Sequence, residues 1–212
     1  MVTSLTFNAF QENTYIISTE EKEAVIIDPG CHSSEEKARL VKHISDKELR
    51  VIAVLNTHCH VDHVFGNKFA TEHYGVKLYI HEGELPVLQS FPQVAALYGL
   101  AGETSPKPDG YLAAGETFVL GATELKVLFM PGHSPASIGF YCQEDNYVIA
   151  GDVLFEGSIG RTDLPGGNFD TLMQSIKTEL LTLPDHTQIY PGHGNPTSVG
   201  KERKDNPFLV GI

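Results

Sequence analysis

The stretch Val54-Leu55-Asn56-Thr57-His58-Cys59-His60-Val61-Asp62-His63 places three histidines and an aspartate directly after an apolar run. The run, residues 51–55, has the length of a strand that is covered on both faces. Side chains two residues apart in an extended segment point the same way, so His58 and His60 face one side, and Asp62 and His63 follow on the turn. One short loop can therefore address two adjacent metal ions.

Three further segments place a histidine or an aspartate at the end of a strand-like run. They read LFMPGHS, VIAGDVL and IYPGHG, and in each a glycine precedes the polar residue and allows a sharp turn. Imidazole and carboxylate groups suit zinc, iron or manganese, and five histidines with two aspartates exceed the needs of one tetrahedral ion. The pattern predicts two metal ions, bound by His58, His60, Asp62, His63, His133, Asp152 and His193.

Length and composition favour one globular domain over residues 1–212. The net charge of -12 and the lack of a large Lys/Arg cluster argue against nucleic acid as a partner. No window approaches the roughly 18 apolar residues of a membrane helix, and the opening residues lack the pattern of a signal peptide. We therefore expect a cytoplasmic protein with no membrane partner. Three cysteines at irregular spacing (Cys31, Cys59 and Cys142) are interpreted as buried free thiols.

Hydrophobic periodicity predicts strands and helices mixed in both halves, as in layered α/β folds. Helices are expected from Ser34, with Ser34 to Glu36 capping the start, and at 65–74 and 169–183. The Asp28-Pro29-Gly30 segment is interpreted as a turn, and 82–110 as a partly helical excursion interrupted by prolines. Strands are predicted at 2–7, 14–18, 24–27, 51–55, 77–80, 118–120, 125–129, 138–142, 147–150 and 188–190. The remaining histidines are interpreted as solvated or core side chains: His32, His43, His73, His81 and His186.

The His58-Cys59-His60-Val61-Asp62-His63 segment, followed by a distant His, Asp and His, resembles the signature of the metallo-β-lactamase superfamily. The resemblance implies an α/β fold, a four-layer αββα sandwich. It also implies that Asp152 bridges the two metals and that Asp62 acts in catalysis by orienting a metal-activated hydroxide. The implied ligands of the first metal are His58, His60 and His133, and those of the second are Asp62, His63 and His193.

Within the superfamily the chain resembles the short, single-domain form of the glyoxalase II group, which hydrolyses thioesters such as S-lactoylglutathione. The similarity lies in Asn56-Thr57, in residues 157–167 and in the closing Glu202-Arg203-Lys204-Asp205-Asn206-Pro207-Phe208. It implies a small-molecule thioester as substrate and two divalent ions, zinc first, with iron or manganese as alternatives. Arg161 occupies the position of a basic residue that binds the glutathione carboxylate in that group.

Two departures from glyoxalase II keep other activities open. The full-length enzymes continue into a helical domain that contacts glutathione, and they carry a tyrosine where Asp163 stands here. Two segments, Arg161-Thr162-Asp163 and Asn56-Thr57-His58-Cys59-His60, instead resemble the persulfide dioxygenases, which share the fold but bind one iron. The first alternative is therefore a mononuclear iron persulfide dioxygenase using His58, His133 and Asp152, and the second is a lactonase of the same fold.

Overall fold

A computed structural model describes residues 1–211, which group into two compact units. The first unit comprises Met1–Leu112 and Leu120–Ala122, and the second comprises the rest of the described chain. Each unit has its own six-stranded sheet, so the predicted mixture of strands and helices is confirmed. The expectation of a single domain over 1–212 stays a prediction, and Ile212 lies outside the described residues. None of the described helices is long and apolar enough to cross a lipid bilayer.

The sheet of the first unit has the strand order β1-β2-β3-β4-β5-β6. Its strands are β1 Val2–Phe7, β2 Glu12–Ser18, β3 Glu23–Ile27, β4 Arg50–Leu55, β5 Lys77–Ile80 and β6 Gly110–Tyr111. The first three strands pair antiparallel, and β3 to β6 pair parallel. Its helical segments are α1 Ser34–Asp46, α2 Val61–Val64, α3 Asn67–Tyr74, a 3-10 turn Glu82–Glu84, α4 Leu85–Gln89 and α5 Phe91–Leu97.

The core of the first unit forms where apolar side chains of the sheet meet apolar faces of the helices. It includes Ile26, Val54 and Leu78 from three neighbouring strands, with Leu40 from α1 and Ala70 from α3, all fully buried. Because β3 and β4 are parallel and Ile27 lies opposite Leu55, the chain leaves both strands at the same edge. Residue 28 and residues 56–63 are thereby brought together.

The second unit has a sheet of strand order β14-β13-β10-β9-β8-β7 and a separate hairpin, β11-β12. Its strands are β7 Thr117–Leu120, β8 Thr123–Phe129, β9 Ile138–Cys142, β10 Tyr147–Gly151, β11 Leu154–Phe155, β12 Ser158–Ile159, β13 Gln188–Pro191 and β14 Thr197–Ser198. Its helical segments are α6 Phe169–Ser175, a π-helical turn Ile176–Leu180 and α7 Val199–Asp205.

Three strands of the second sheet run in one direction. Both β8 and β10 are antiparallel to β9, and β10 is parallel to β13. The chain therefore leaves β8, β10 and β13 at a common edge, just before His133, Asp152 and His193 respectively. Beside them, α6 and the π-helical turn bury Leu172 and Ile176 in the core of this unit.

Local structure departs from the sequence prediction at three helices. The N-cap of α1 is Ser33 rather than Ser34, because Ser33 and Glu36 form a reciprocal capping box. The segment predicted as one helix over 65–74 is preceded by a separate short helix, α2, with Gly66 between α2 and α3. The helix predicted over 169–183 becomes π-helical after Ser175. The excursion over 82–110 is partly helical, as predicted.

Candidate metal centre

The first unit gathers four of the predicted ligands, and we call His58, His60, Asp62 and His63 the loop cluster. The ring centroid of His58 lies 4.8 Å from that of His60 and 4.1 Å from that of His63. An oxygen of the Asp62 carboxylate lies 3.8 Å from Nε2 of His63. His58 and His63 are fully buried. The loop after β4 therefore concentrates imidazole and carboxylate groups in one place, as the spacing predicted.

Hydrogen bonds at Nδ1 orient two of these rings. Nδ1 of His58 lies 3.1 Å from the Thr57 hydroxyl, which donates to Asp28 Oδ2 at 2.6 Å. Nδ1 of His63 lies 3.1 Å from the same Asp28 oxygen. Since each Nδ1 then carries the proton, Nε2 presents its lone pair, as in protein metal sites where the second ring nitrogen is held by an outer partner.

Asp28 is the centre of this buried network. Its Oδ1 accepts the backbone N–H of Thr57 at 2.7 Å and the side-chain amide of Asn56 at 3.3 Å. Asn56 also donates to the carbonyl of His63 at 3.2 Å. From the sequence alone, Asp28 is expected only in a turn. The signal that marks it is the one used elsewhere, a carboxylate directly after a buried strand, here in parallel register with β4.

Two further residues support the backbone of the loop cluster. Buried Glu84, near the start of the 82–110 excursion, accepts the N–H of Cys59 at 2.9 Å. This bond holds the backbone between His58 and His60 in place. Asn8 donates to the carbonyl of Asp62 at 3.0 Å. Neither residue was predicted, because each bond joins segments far apart in sequence.

The surroundings of the loop cluster are acidic. Glu12 is fully buried, with Oε1 4.0 Å from Nδ1 of His63. Burial raises the pKa of the Glu12 carboxyl well above its usual value; His63 lowers that pKa, whereas Asp28 and Asp62 raise it. Imidazoles backed by buried carboxyls form a donor set that suits a transition-metal cation. The loop cluster therefore fits a metal in its chemistry as well as in its spacing.

The second unit gathers the other three predicted ligands, and we call His133, Asp152 and His193 the strand-end cluster. Oδ2 of Asp152 lies 3.5 Å from Nε2 of His133 and 3.5 Å from Nε2 of His193. Nδ1 of His133 donates to the carbonyl of Arg161 at 2.8 Å, which again leaves Nε2 as the ligand atom. Both ring Nε2 atoms are thus grouped around one carboxylate oxygen.

The turn before His133 requires glycine. Gly132 has a φ of 126°, and a Cβ at this position would overlap the backbone of Leu172 in α6. The carbonyl of Pro131 accepts the Ser175 hydroxyl at 2.7 Å, and that of Gly132 accepts the N–H of Asn168 at 2.8 Å. The helix after β12 thereby fixes the turn that presents His133.

The β11-β12 hairpin, which lies between Asp152 and Arg161, is held by the segment from Glu202 to Asn206. Buried Glu202 in α7 accepts the N–H of Gly157 at 2.8 Å. The side-chain amide of Asn206 donates to the carbonyl of Ser158 at 3.0 Å and to Glu202 at 2.8 Å. These contacts give the Glu202 to Asn206 segment a structural role next to the strand-end cluster.

Arg161, predicted to bind substrate, is engaged by Asp163. Its Nε donates to Asp163 Oδ1 at 2.8 Å and its Nη2 to Oδ2 at 2.7 Å. Both side chains are more than half exposed. The hydrogen bonds from Arg161 lower the pKa of Asp163 to about 2. The role of Arg161 in substrate binding stays a prediction.

The structure agrees with the sequence interpretation of the three cysteines and of two histidines outside the two clusters. Cys31, Cys59 and Cys142 are buried free thiols, which confirms the prediction. The His32 ring stacks on Phe65, and Nε2 of His186 lies 2.9 Å from the side chain of Asn146. Both rings therefore have structural partners outside the two clusters.

Comparison with known proteins gives consistent similarities. Residues 7–193 match the model of the Metallo-beta-lactamase superfamily. Hydroxyacylglutathione hydrolase GloC of Haemophilus influenzae is 40% identical over 203 residues, which cover 95% of this chain and 94% of that protein. The crystal structure of BLEG-1 B3 metallo-beta-lactamase has a TM-score of 0.91 at 34% identity, with all of both chains covered. That of TTHA1623 in a di-iron-bound form has a TM-score of 0.87 at 38% identity, covering 98% of this chain and 100% of that one.

Proposed function

This chain belongs to the metallo-β-lactamase superfamily, and on that premise we propose that it is a two-metal thioesterase of the glyoxalase II type. The predicted metallo-β-lactamase fold is confirmed by the TM-score of 0.91, and membership in a superfamily of metallo-hydrolases supports metal-dependent hydrolysis. The thioester substrate is the proposed part, supported by the 40% identity to a hydroxyacylglutathione hydrolase.

The observation that carries the proposal is the orientation of the histidines. His58, His63 and His133 each have Nδ1 engaged by an oxygen, which leaves Nε2 to bind metal. We propose that the chain binds two divalent ions. Zinc is the preferred candidate, and iron and manganese are alternatives that the same donors accept. A related protein is known in a di-iron-bound form. The proposed ligands of the first ion are His58, His60 and His133, those of the second are Asp62, His63 and His193, and Asp152 is shared.

When bound, such ions polarise a substrate carbonyl and lower the pKa of a coordinated water, and so supply the chemistry of hydrolysis. The residues of the chain set the geometry. Asp28 and Thr57 keep the protons of His58 and His63 on Nδ1. Asp62, whose carbonyl is held by Asn8, orients the attacking water through its carboxylate. Arg161, paired with Asp163, is the proposed contact for a substrate carboxylate.

Hydrolysis of S-lactoylglutathione tests the proposal directly. Purified protein is loaded with zinc, iron or manganese, the metal is counted, and turnover is compared with that of His58→Ala. We expect turnover in the wild type and a loss of more than roughly 100-fold in His58→Ala, since even partners of metal ligands are worth 10- to 100-fold. His186→Ala, outside both clusters, is the matched control and should keep metal and turnover. Metal-loaded wild type without turnover would contradict the proposal.

The Arg161–Asp163 pair favours a second candidate, because Arg161-Thr162-Asp163 resembles the persulfide dioxygenases. That activity requires one iron on His58, His133 and Asp152, and oxygen uptake in the presence of a persulfide. Iron-loaded protein that consumes oxygen with a persulfide and leaves thioesters intact would establish it. Hydrolysis of lactones but not of thioesters would instead identify the lactonase alternative.

A further inference from the structure

The contact between Arg161 and Asp163 bears on which thioesters this chain accepts. The two hydrogen bonds use the Nε and Nη2 donors of the guanidinium and both oxygens of the carboxylate. This is the fork geometry in which arginine recognises a carboxylate most strongly. A substrate carboxylate that approached the same edge of Arg161 would have to displace Asp163.

The backbone at this point is fixed, which favours the pair before any substrate arrives. The carbonyl of Arg161 accepts a hydrogen bond from Nδ1 of His133 at 2.8 Å, and the N–H of Gly160 donates to the carbonyl of Val153 at 3.1 Å. Asp163 is only two residues further along the chain. Because the partners are so close in sequence on a fixed loop, the pair forms at little cost in chain entropy.

The pair also removes most of the positive charge that an anion would meet. Its carboxylate is ionised through the neutral range, with a pKa of about 2. The chain as a whole carries a net charge of -12, so long-range attraction of an anionic substrate does not compensate. Arg161 therefore meets a carboxylate-bearing thiol carrier as part of a neutral pair.

We propose that Asp163 is a specificity-determining residue that weakens the binding of carboxylate-bearing thiol carriers, so that the site favours thioesters whose carrier places no carboxylate at Arg161. The inference rests on the proposed thioesterase function and on the binding role of Arg161 within it. Glutathione thioesters are then accepted but bound weakly, and removal of the Asp163 charge strengthens their binding.

Calorimetric titration of the metal-loaded protein with S-methylglutathione tests this inference. The thioether keeps both glutathione carboxylates and has no thioester to hydrolyse. Asp163→Asn preserves the shape of the side chain and removes its charge. We expect Asp163→Asn to bind S-methylglutathione roughly three- to fivefold more tightly than the wild type, the upper part of the range for an exposed ion pair. The gain should vanish in Arg161→Gln/Asp163→Asn.

Two controls separate the pair from general charge effects. Asp185→Asn removes the same charge from an exposed pair with Arg203 in the same unit, and should leave the affinity unchanged. The diethyl ester of S-methylglutathione lacks the carboxylates and should show no gain with Asp163→Asn. An unchanged affinity in Asp163→Asn, equal tightening for the diester, or no binding by either protein would overturn the inference.

The test also separates this inference from the proposed function. Turnover of S-lactoylglutathione with an unchanged affinity in Asp163→Asn would leave the thioesterase standing and reject the role of Asp163. Tighter binding of S-methylglutathione by Asp163→Asn, with no turnover of S-lactoylglutathione, would reject the thioesterase and leave the effect of Asp163 on binding standing.

Discussion

The loop cluster and the strand-end cluster carry the same kinds of side chain and are held by different means. Two rings of the loop cluster are positioned by buried side chains, with Asp28 at the centre. In the strand-end cluster, His133 is positioned by a backbone carbonyl and a glycine turn, and the side chain of His193 is 26% exposed. Side-chain substitutions around the loop cluster should therefore perturb metal binding directly. Around the strand-end cluster, substitutions that alter the backbone should matter most.

Replacement of Asp28 should have the largest effect on metal binding. Asp28→Asn exchanges an acceptor for an amide and disturbs the bonds to Thr57 and His63. We expect metal affinity to fall by roughly 10- to 100-fold, the usual effect of losing an outer partner of metal ligands. Titration against a chelator of known affinity measures it. Asp46→Asn, which removes an exposed carboxylate of α1, is the control. Equal affinities for Asp28→Asn and the wild type would show that the network does not position the ligands.

A methyl group at Gly132 should have the largest effect on stability. Gly132→Ala forces Cβ against Leu172 at a φ of 126°, and we expect the free energy of unfolding to fall by about 2–4 kcal/mol. Gly194, next to His193, also has a positive φ, but a Cβ there meets no atom within 4 Å. Gly194→Ala should lower the free energy of unfolding by only about 1 kcal/mol. Urea unfolding of both variants gives the two values, and equal costs would refute the packing argument.

Loss of the Glu202 charge should have a smaller effect. Glu202→Gln weakens the hydrogen bonds from Gly157 and Asn206 that hold the hairpin. We expect the free energy of unfolding to fall by about 1–2 kcal/mol. The exposed Glu144→Gln is the control in the same unit. Unchanged urea midpoints in both variants would mean that α7 does not hold the hairpin.

The last prediction concerns the reactivity of two buried thiols, Cys31 and Cys59. Burial raises the pKa of Cys31 to about 12 and that of Cys59 well above its usual value. At pH 8 both are therefore protonated, and they should react slowly with a disulfide reagent, faster as pH rises, and fully after unfolding in urea. Mass spectrometry of labelled peptides measures this. Rapid labelling of Cys59 in the folded protein would show that the loop cluster opens to solvent.

The sequence predicted the ends of strands better than the contacts beyond them. Apolar runs followed by Pro-Gly-His or by Gly-Asp are local signals, so the segments that carry His133, Asp152 and His193 were correctly placed after β8, β10 and β13. The hydrogen bonds that Asp28 accepts from Thr57 and Glu84 accepts from Cys59 join residues 29 and 25 positions apart, and no local pattern predicts these pairings.

The missed helical details have similar causes. The π-helical turn after Ser175 continues the apolar spacing of an α-helix, with Leu172, Ile176 and Leu180 all buried, so periodicity alone predicts one regular helix. The helix begins at Ser34 as predicted, but its N-cap is Ser33, because two adjacent serines offer similar capping chemistry and the reciprocal hydrogen bonds with Glu36 select Ser33.

We propose two metal ions per chain, with ligands from the loop cluster and from the strand-end cluster. Counting metal per chain in the wild type and in His193→Ala, beside turnover of S-lactoylglutathione, tests it most directly. We expect two ions and turnover in the wild type, and one ion with little turnover in His193→Ala, because His193 belongs to the proposed second-metal ligands alone. One ion in both proteins, with turnover unaffected by the substitution, would contradict the two-metal account.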